Sequence, residues 1–354
     1  MLMKQHYTLI FTLLFFYGVW SQQSYYDDVN LTLTGVALKT ALATKVTNTH
    51  TNVLSYGWDA TKATDLNPSN LSNVLLIYGY EDGSDSDCTN DLERSVNDNG
   101  GNVCDFNREH VYPKSLGTPS FDNNETPGAD GHHIRASDVQ RNGQRGNQKF
   151  ADGSGNSKNV AGGWYPGDEW KGDVARIIMY MYLRYGSQCL PTNVGVGSSA
   201  STPDDMIDLF LKWNSEDPVS TYEDNRNIFH TSGDTYSQGN RNPFIDEPFL
   251  ANIIWGIPAG QTAAEDRWGL FLNTKKETLA EVKLHPNPVN NGKVFITTHE
   301  DIQVELFDVL GKLILTKRIT NSGNWLNVSN LNKGVYLLRL SKNSQRVTKK
   351  LIIQ

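Results

Sequence analysis

Cysteine is scarce in this sequence, with three among 354 residues and no CxxC pair. The odd set Cys88, Cys104 and Cys189 allows at most one intramolecular disulfide, which excludes a disulfide-rich scaffold and disfavours a zinc site built from Cys alone. The zinc-protease motif HExxH is also absent. Because 38% of the residues are hydrophobic and 10% aromatic, disorder, collagen and coiled coil are poor descriptions, and we expect a globular chain of about two domains.

An apolar run from Leu9 to Val19 follows the basic Lys4 at the N-terminus. The run is too short to cross about 30 Å of hydrocarbon comfortably, and its end at Val19 and Ser21 suits a signal peptidase. We therefore expect residues 1–21 to be a signal peptide, with a retained membrane anchor as the alternative. After cleavage the protein would act outside the inner membrane without stable membrane insertion.

The segment from Asp82 to Glu93 is acidic and faintly resembles a calcium-binding loop. Asp87 occupies the position where such a loop needs Gly for its tight turn, so we favour a solvated acidic loop. In the oxidising setting that a signal peptide implies, Cys88 and Cys104 are the candidates for a disulfide, while Cys189 would stay buried and free.

Charge is distributed unevenly along the chain. Residues 280–354 contain 11 Lys and Arg against 5 Asp and Glu, whereas the whole chain has 32 against 39, so the part before residue 280 is strongly acidic. An acidic body repels polyanions at long range. Any site for nucleic acid therefore needs a local basic segment or a bound cation.

Pro, Asn and Gly mark a change of composition near residue 275. We predict a domain boundary there, with residues 275–354 forming a small all-β sandwich. The predicted strands are Lys293–Thr298, Ile302–Asp308, Leu313–Arg318, Val335–Leu340 and Arg346–Ile353.

Three segments of this C-terminal part, LHPNPVNNGKV, VELFDVLGKLI and LNKGVYLLRLSKNSQRVTKKLIIQ, resemble the type A sorting domain of the type IX secretion system. The resemblance implies a β-sandwich that directs export across the outer membrane, with the secretion machinery as its partner. The alternative is a carbohydrate-binding or adhesive sandwich, for which Trp325 and Tyr336 are the candidate sugar-stacking aromatics.

Apolar periodicity indicates scaffold in the large part. Leu38, Leu42 and Val46 share one face of a predicted helix, and Val74–Tyr80 is typical of a buried strand. A second helix is predicted to begin at Thr202, which precedes Pro and two Asp residues.

The residues that could support chemistry concentrate between positions 107 and 149, in NREHVYPKS and DGHHIRASDVQRNGQRGNQKF. A strand is predicted to carry Glu109 and His110, and a polar helix is predicted from Asp138 onward. Residues 131–149 contain four cations, Arg135, Arg141, Arg145 and Lys149, against the single acid Asp138. This local positive charge partly offsets the acidic body.

Hydrolysis of a phosphodiester needs a base, a cation and donors that hold the phosphate. A neutral His110 could take the proton from water, because an ordinary His pKa lies near about 6.5. Glu109 and an Asn amide oxygen are hard ligands suited to Mg²⁺ or Ca²⁺. Arg135 or Arg145 could grip the phosphate in a bidentate manner.

Each of these residues also has a structural interpretation. A Glu-His pair is most often a surface feature or a satisfied hydrogen-bonded pair, and His132 and His133 could be structural because adjacent strand residues point to opposite faces. Asn142 could be a helix-surface amide or a cap. The arginines could solvate a helix.

Seven segments occur in order, namely NREHVYPKS, HHIRASD, RGNQKF, WKGDVARIIMYMYLRYG, FLKWNSEDPVS, EDNRN and QGNRNPFIDEP. Together they closely resemble the bacterial endonuclease I family from about Leu54 to Trp255. The resemblance implies an α+β fold with a ββα-metal (His-Me finger) nuclease domain over residues 22–274. It further implies a secreted, nonspecific endonuclease that acts on DNA, and often RNA, with Mg²⁺, Ca²⁺ or Mn²⁺.

Carried over residue by residue, the resemblance makes His110 the general base and Glu109 a metal ligand. Asn142 would be the metal ligand on the helix, with Asn147 as its competitor, and Arg145 would steady the phosphate. The alternative is a nucleic-acid-binding or adhesive surface protein without catalysis, in which the aromatics of residues 164–170 would be stacking platforms. A phosphatase or lipid phosphodiesterase is a third possibility.

Overall fold

The structure is a computed structural model that describes residues 24–124, 126–199, 202–270, 282–297, 301–320, 324–342 and 345–354. The predicted signal peptide, residues 1–21, lies outside these ranges. The chain divides into two compact units, Met1–Leu270 and Phe271–Gln354. None of the helices within the described ranges has the length and apolar character needed to cross a membrane.

The first unit mixes short strands with helices. Its helices are α1 (Gly35–Thr49), α2 (Trp58–Thr64), α3 (Thr126–Ala129), α4 (Val139–Arg145), α5 (Lys171–Tyr185), α6 (Pro191–Val194), α7 (Asp208–Glu216), α8 (Thr221–Phe229), α9 (Pro243–Asp246) and α10 (Leu250–Trp255). Its strands are β1 (Leu66–Asn67), β2 (Asn70–Leu75), β3 (Glu93–Ser95), β4 (Phe106–His110), β5 (Ile134–Asp138), β6 (Lys158–Val160) and β7 (Gly163–Tyr165).

Helix α5 lies at the centre of this unit and is buried along most of its length. It packs against α1, α7 and α9. Leu38, Leu42 and Val46 of α1 are buried as their spacing predicted. This helical layer forms the main hydrophobic core.

Two sequence predictions are wrong in their bounds. The helix predicted from Thr202 begins at Asp208, because Asp204 adopts a positive φ of 71° and its carboxylate accepts from Lys39 and Tyr182 instead of capping a helix. The strand predicted over Val74–Tyr80 ends at Leu75. Three residues further on, Tyr78 has a positive φ of 75°, which a β-strand does not accommodate.

The acidic loop from Asp82 is exposed through Asp87, as predicted for a solvated loop. Cys88 and Cys104 form the expected disulfide. Cys189 is free and buried.

Strands β4 and β5 form an antiparallel pair, in which Glu109 lies opposite Arg135 and His110 opposite Ile134. Helix α4 follows β5 directly. It begins there because the Asp138 carboxylate accepts hydrogen bonds from the first backbone N–H groups of the helix, at 2.8 and 2.9 Å. The result is a strand, a strand and a helix in close succession.

The second unit is a sandwich with an apolar core. Its strands are β8 (Lys283–His285), β9 (Lys293–Thr297), β10 (Ile302–Phe307), β11 (Leu313–Ile319), β12 (Trp325–Asn327), β13 (Gly334–Lys342) and β14 (Gln345–Ile353). A four-stranded sheet has the order β11-β10-β13-β14, and a three-stranded sheet has the order β12-β9-β8. The five predicted strands are present, whereas β8 and β12 were missed.

Candidate active site

The two faces of β4 carry different chemistry, because successive residues of a strand point to opposite sides. Asn107 and Glu109 share the face that meets α4. Asn142 of α4 donates from Nδ2 to Asn107 Oδ1 at 2.7 Å, and Arg145 Nη1 lies 3.2 Å from Glu109 Oε1. His110 belongs to the other face.

Glu109 is buried and held at Oε1. The Tyr78 hydroxyl donates to that oxygen at 2.9 Å, in addition to the Arg145 contact. Burial raises the pKa of the Glu109 carboxyl, while Arg145, Tyr78 and a backbone N–H act in the opposite direction. The charge of Glu109 therefore depends on its cationic and hydrogen-bonding neighbours.

Arg145 is only 1% exposed and its guanidinium is used within the protein. Nη2 donates to the carbonyl of Val111 at 2.9 Å, and the group lies over the Phe150 ring at 4.7 Å. This geometry suits an arginine that holds Glu109 and the end of β4, more than one that reaches out to a phosphate.

The two candidate Asn ligands lie in different surroundings. Asn142 is half-buried beside β4, and because its amide nitrogen is bonded to Asn107, its oxygen faces elsewhere. Asn147 is exposed beyond the end of α4, with Ser115 Oγ 3.4 Å from its Nδ2. Only Asn142 shares the β4–α4 junction with Glu109.

A carboxylate oxygen of Glu109 and the amide oxygen of Asn142 are the ligand types that Mg²⁺ and Ca²⁺ prefer. Over the ranges that the structure describes, no group of three or more His, Cys, Asp or Glu side chains could hold a metal ion. With Glu109 and Asn142 as its side-chain ligands, a divalent cation at this junction would keep much of its water, which is typical of Mg²⁺.

His110 is half-buried and oriented by a backbone carbonyl. Its Nε2 lies 2.9 Å from the carbonyl oxygen of Gly128. A carbonyl can only accept, so Nε2 carries the proton and Nδ1 presents its lone pair. Burial, reinforced by nearby His133, lowers the pKa of His110 to about 3. The ring is therefore neutral near pH 7, at a pKa well below the ordinary value assumed from the sequence.

The carbonyl that meets His110 belongs to α3, which must come very close to a neighbouring loop. A Cβ at Gly128 would lie 1.9 Å from the carbonyl oxygen of Asp122. Only Gly fits this position without displacing the backbone.

His132 and His133 are buried and have structural partners. His132 Nε2 lies 3.2 Å from the Asn240 carbonyl, and His133 Nε2 lies 2.6 Å from the Pro127 carbonyl. Burial lowers the pKa of each ring to about 4. The ring of His133 is 5.4 Å from that of His110, so His133 packs beside the candidate base.

Arg135 stands opposite Glu109 in the β4–β5 pair, but its guanidinium is used within the protein. It is 1% exposed, its Nη2 donates to Asp173 Oδ2 at 3.0 Å, and its guanidinium lies over the Tyr222 ring at 4.6 Å. These contacts are those of a buried ion pair and give no support to a grip on phosphate.

The aromatics considered as stacking platforms are buried too. Trp164, Tyr165 and Trp170 are at most 3% exposed. They pack in the main core and present no free ring face to a nucleobase.

Sequence reasoning missed three groups that shape the site, namely Tyr78, Asn107 and Gly128. Asn107 could have been found, because it stands two residues before Glu109 and a strand places such residues on one face. Tyr78 and Gly128 lie 31 and 18 residues from their partners. No local signal connects them.

Comparison with known proteins matches each of the two units to a protein family. Residues 34–249 match the family Endonuclease I, and residues 283–354 match the Secretion system C-terminal sorting domain. Two relatives are each named extracellular ribonuclease. The one from Bacillus amyloliquefaciens is 40% identical over 66% of this chain and 78% of its own length, and the one from Bacillus subtilis (strain 168) is 42% identical over 63% and 75%.

Proposed function

This chain belongs to the endonuclease I family and is a secreted nuclease with a C-terminal sorting domain, and we propose that it hydrolyses DNA and RNA with a divalent cation and His110 as general base. The observation that carries the proposal is the β4–β5–α4 junction. There, Glu109 and Asn142 lie beside α4, and His110, which follows Glu109 directly and ends β4, is neutral with its proton held on Nε2.

In this proposal, the lone pair of His110 Nδ1 takes a proton from the water that attacks phosphorus. The phosphorus–oxygen bond to the 3′ oxygen breaks, and that oxygen takes up a proton from solvent water, which leaves a 5′-phosphate and a 3′-hydroxyl. His110 then returns its proton to solvent. The Gly128 carbonyl keeps the proton of the neutral ring on Nε2, so that the basic nitrogen is the one that faces away from α3.

Glu109 and Asn142 would hold the cation, and Asn147 is not given this role because it lies outside the junction. When bound, the cation would neutralise negative charge that develops on the phosphate oxygens. Mg²⁺ is the cation we expect, with Ca²⁺ and Mn²⁺ as alternatives.

The arginines act through carboxylates in this scheme. Arg145 fixes Glu109 at 3.2 Å, which sets the direction of the carboxylate toward the cation. Arg135 maintains the buried pair with Asp173 beneath β5. Lys114 lies close enough to His110 to lower the pKa of the imidazole, and its charge would also attract a phosphate.

The names of the two relatives favour RNA as a substrate beside DNA. The sorting domain makes the type IX secretion machinery the proposed partner of the second unit. Export would separate the enzyme from the nucleic acid of its own cell.

The test is digestion of plasmid DNA and of structured RNA by the purified protein, with chelator and then with Mg²⁺, Mn²⁺ or Ca²⁺ added back. We expect chelator to stop cleavage and Mg²⁺ to restore it. Glu109→Gln should be inactive at ordinary cation concentrations, whereas Glu305→Gln in the second unit is the matched control with unchanged activity. Cleavage that persists in chelator, or in Glu109→Gln at the wild-type rate, would refute the metal role.

A further inference from the structure

A column of stacked side chains ends at His110. The ring of Tyr56 stacks on the imidazole, with centroids 4.8 Å apart and planes 25° apart. The guanidinium of Arg108 lies 4.0 Å from the centre of the same Tyr56 ring. The Tyr56 ring therefore contacts both His110 and Arg108.

The column continues beyond Arg108 to Trp58 and ends at the buried Phe106. The guanidinium also lies 4.0 Å from the Trp58 ring, and Trp58 meets buried Phe106 edge to face at 6.0 Å. Phe106, Arg108 and His110 alternate along one face of β4. The strand and the column therefore support each other.

Two hydrogen bonds from side chains to backbone carbonyls hold Tyr56 to the strand. Arg108 Nη1 donates to the Tyr56 carbonyl at 2.8 Å, and the Tyr56 hydroxyl donates to the Arg108 carbonyl at 3.1 Å. This reciprocal pair fixes both ends of the Tyr56 side chain, and the Arg108 guanidinium against the ring restricts its plane.

We propose that Tyr56, supported by Arg108, is a positioning residue that fixes the ring plane of His110 for proton transfer. This inference rests on the proposed role of His110 as general base. The Gly128 carbonyl fixes one nitrogen of the imidazole, but a single hydrogen bond leaves rotation of the ring about that bond. The flat face of Tyr56 removes this freedom and aims Nδ1.

The proposal predicts a defect in turnover and not in substrate binding. A displacement of about 1 Å in a catalytic group can lower a rate about 100-fold. We therefore expect Tyr56→Leu to reduce kcat about 10- to 100-fold, with KM changed by less than about twofold. Tyr56→Phe keeps the stacked ring and should retain kcat within about threefold.

The experiment measures kcat and KM of the full chain on a duplex oligonucleotide with Mg²⁺, together with the unfolding midpoint of each variant. Tyr80→Leu is the matched control, since Tyr80 also stacks on an arginine, Arg141 at 5.1 Å, and it should match wild type. Should Tyr56→Leu fail to fold, Tyr56→Met, which is apolar but has no flat face, takes its place.

Three results would overturn the inference. They are a wild-type kcat in Tyr56→Leu, a loss confined to KM, and a loss in Tyr56→Phe as large as that in Tyr56→Leu. His110→Ala is measured in parallel. If His110→Ala cleaves as well as wild type, the proposed general-base role of His110 fails; if it is inactive while Tyr56→Leu is normal, only the positioning role of Tyr56 fails.

Discussion

The two units of this chain are built on opposite kinds of interior. The described buried side chains of the second unit are all apolar or aromatic. The first unit buries carboxylates, arginines and histidines beside its hydrophobic core, among them Asp65, Glu109, Asp130, Arg135, Arg176 and His230.

The difference follows from what each unit has to hold. A sorting sandwich needs only a stable surface, and apolar packing supplies that. A nuclease site needs carboxylates and imidazoles at fixed positions, and hydrogen-bond partners lower the free-energy cost of burying them. The candidate residues Glu109 and His110 accordingly sit in hydrogen-bonded surroundings.

Breaking a buried ion pair in the first unit should cause the largest loss of stability. Arg176 donates to both oxygens of Glu223 at 2.6 and 2.7 Å, and both residues are buried. Glu223→Ala removes both contacts and leaves Asp173, at 4.0 Å, as the remaining carboxylate near the guanidinium, so it should lower the free energy of unfolding by about 3–5 kcal/mol.

Denaturant unfolding measures this loss. The control is Glu216→Ala, since Glu216 pairs with Lys171 at the surface and its removal should cost less than about 1 kcal/mol. Equal losses in both variants would mean that the buried network does not stabilise the first unit more than a surface pair does.

The corresponding test in the second unit creates a cavity in its apolar core. Leu338 of β13 is fully buried in the apolar core, so Leu338→Ala should lower the stability of that unit by about 2–5 kcal/mol. Nuclease activity should be unchanged. Calorimetry combined with an activity assay checks both points. Leu310→Ala is the control, since Leu310 is 91% exposed. A loss of activity in Leu338→Ala would contradict the independence of the units.

The disulfide ties only the first unit. Cys88 and Cys104 are 16 residues apart in sequence, and closing a loop of this size stabilises a fold by about 3 kcal/mol in the chain-entropy model. The double variant Cys88→Ser, Cys104→Ser should therefore unfold at lower denaturant concentration by that amount. The same protein under reducing conditions should behave like the variant, whereas wild type that is insensitive to reductant would show that the bridge is unimportant.

The smallest effect concerns pH and the buried histidines. His230 is fully buried with both ring nitrogens unpartnered among the described residues. Burial, with nearby His132, Arg226 and His50, lowers its pKa well below the ordinary value, against the pull of Asp130. Because the unfolded chain then binds the proton more readily, His230 removes stability as pH falls below about 6.5.

His230→Leu abolishes this term. The stability of the variant relative to wild type should increase by about 1–2 kcal/mol between pH 7 and pH 5. Using the difference cancels the buried carboxyls Asp173 and Glu247, whose pKa values burial raises, so that they act in the opposite direction. A pH-independent difference would show that His230 does not titrate on unfolding.

The sequence predicted elements better than contacts. The strand with Glu109 and His110, the helix after Asp138 and five strands of the sandwich follow from local patterns, and the structure has them. The partners of Arg135 and Arg145 could not be predicted from the sequence. The sequence indicates two free cations, whereas the structure pairs them with Asp173 and Glu109. Ion pairing between distant parts of a chain leaves no periodic trace in a sequence.

Local backbone conformation was equally hard to predict from the sequence. The left-handed conformations of Tyr78 and Asp204 shortened a predicted strand and delayed a predicted helix, because positive φ in a non-Gly residue depends on tertiary partners. Tyr56 reaches His110 from 54 positions away in the chain. Its role becomes visible only when the strand and the loop are seen together.

The central claim is that the imidazole of His110 performs the proton transfer in phosphodiester hydrolysis. The most direct test is the single-turnover rate of cleavage of a labelled duplex by wild type and His110→Ala at saturating enzyme and Mg²⁺, with binding measured separately. His285→Ala, in the second unit, is the matched control. The account predicts that His110→Ala binds the duplex normally and cleaves it about 10²- to 10⁴-fold more slowly. A cleavage rate within a few-fold of wild type would contradict it.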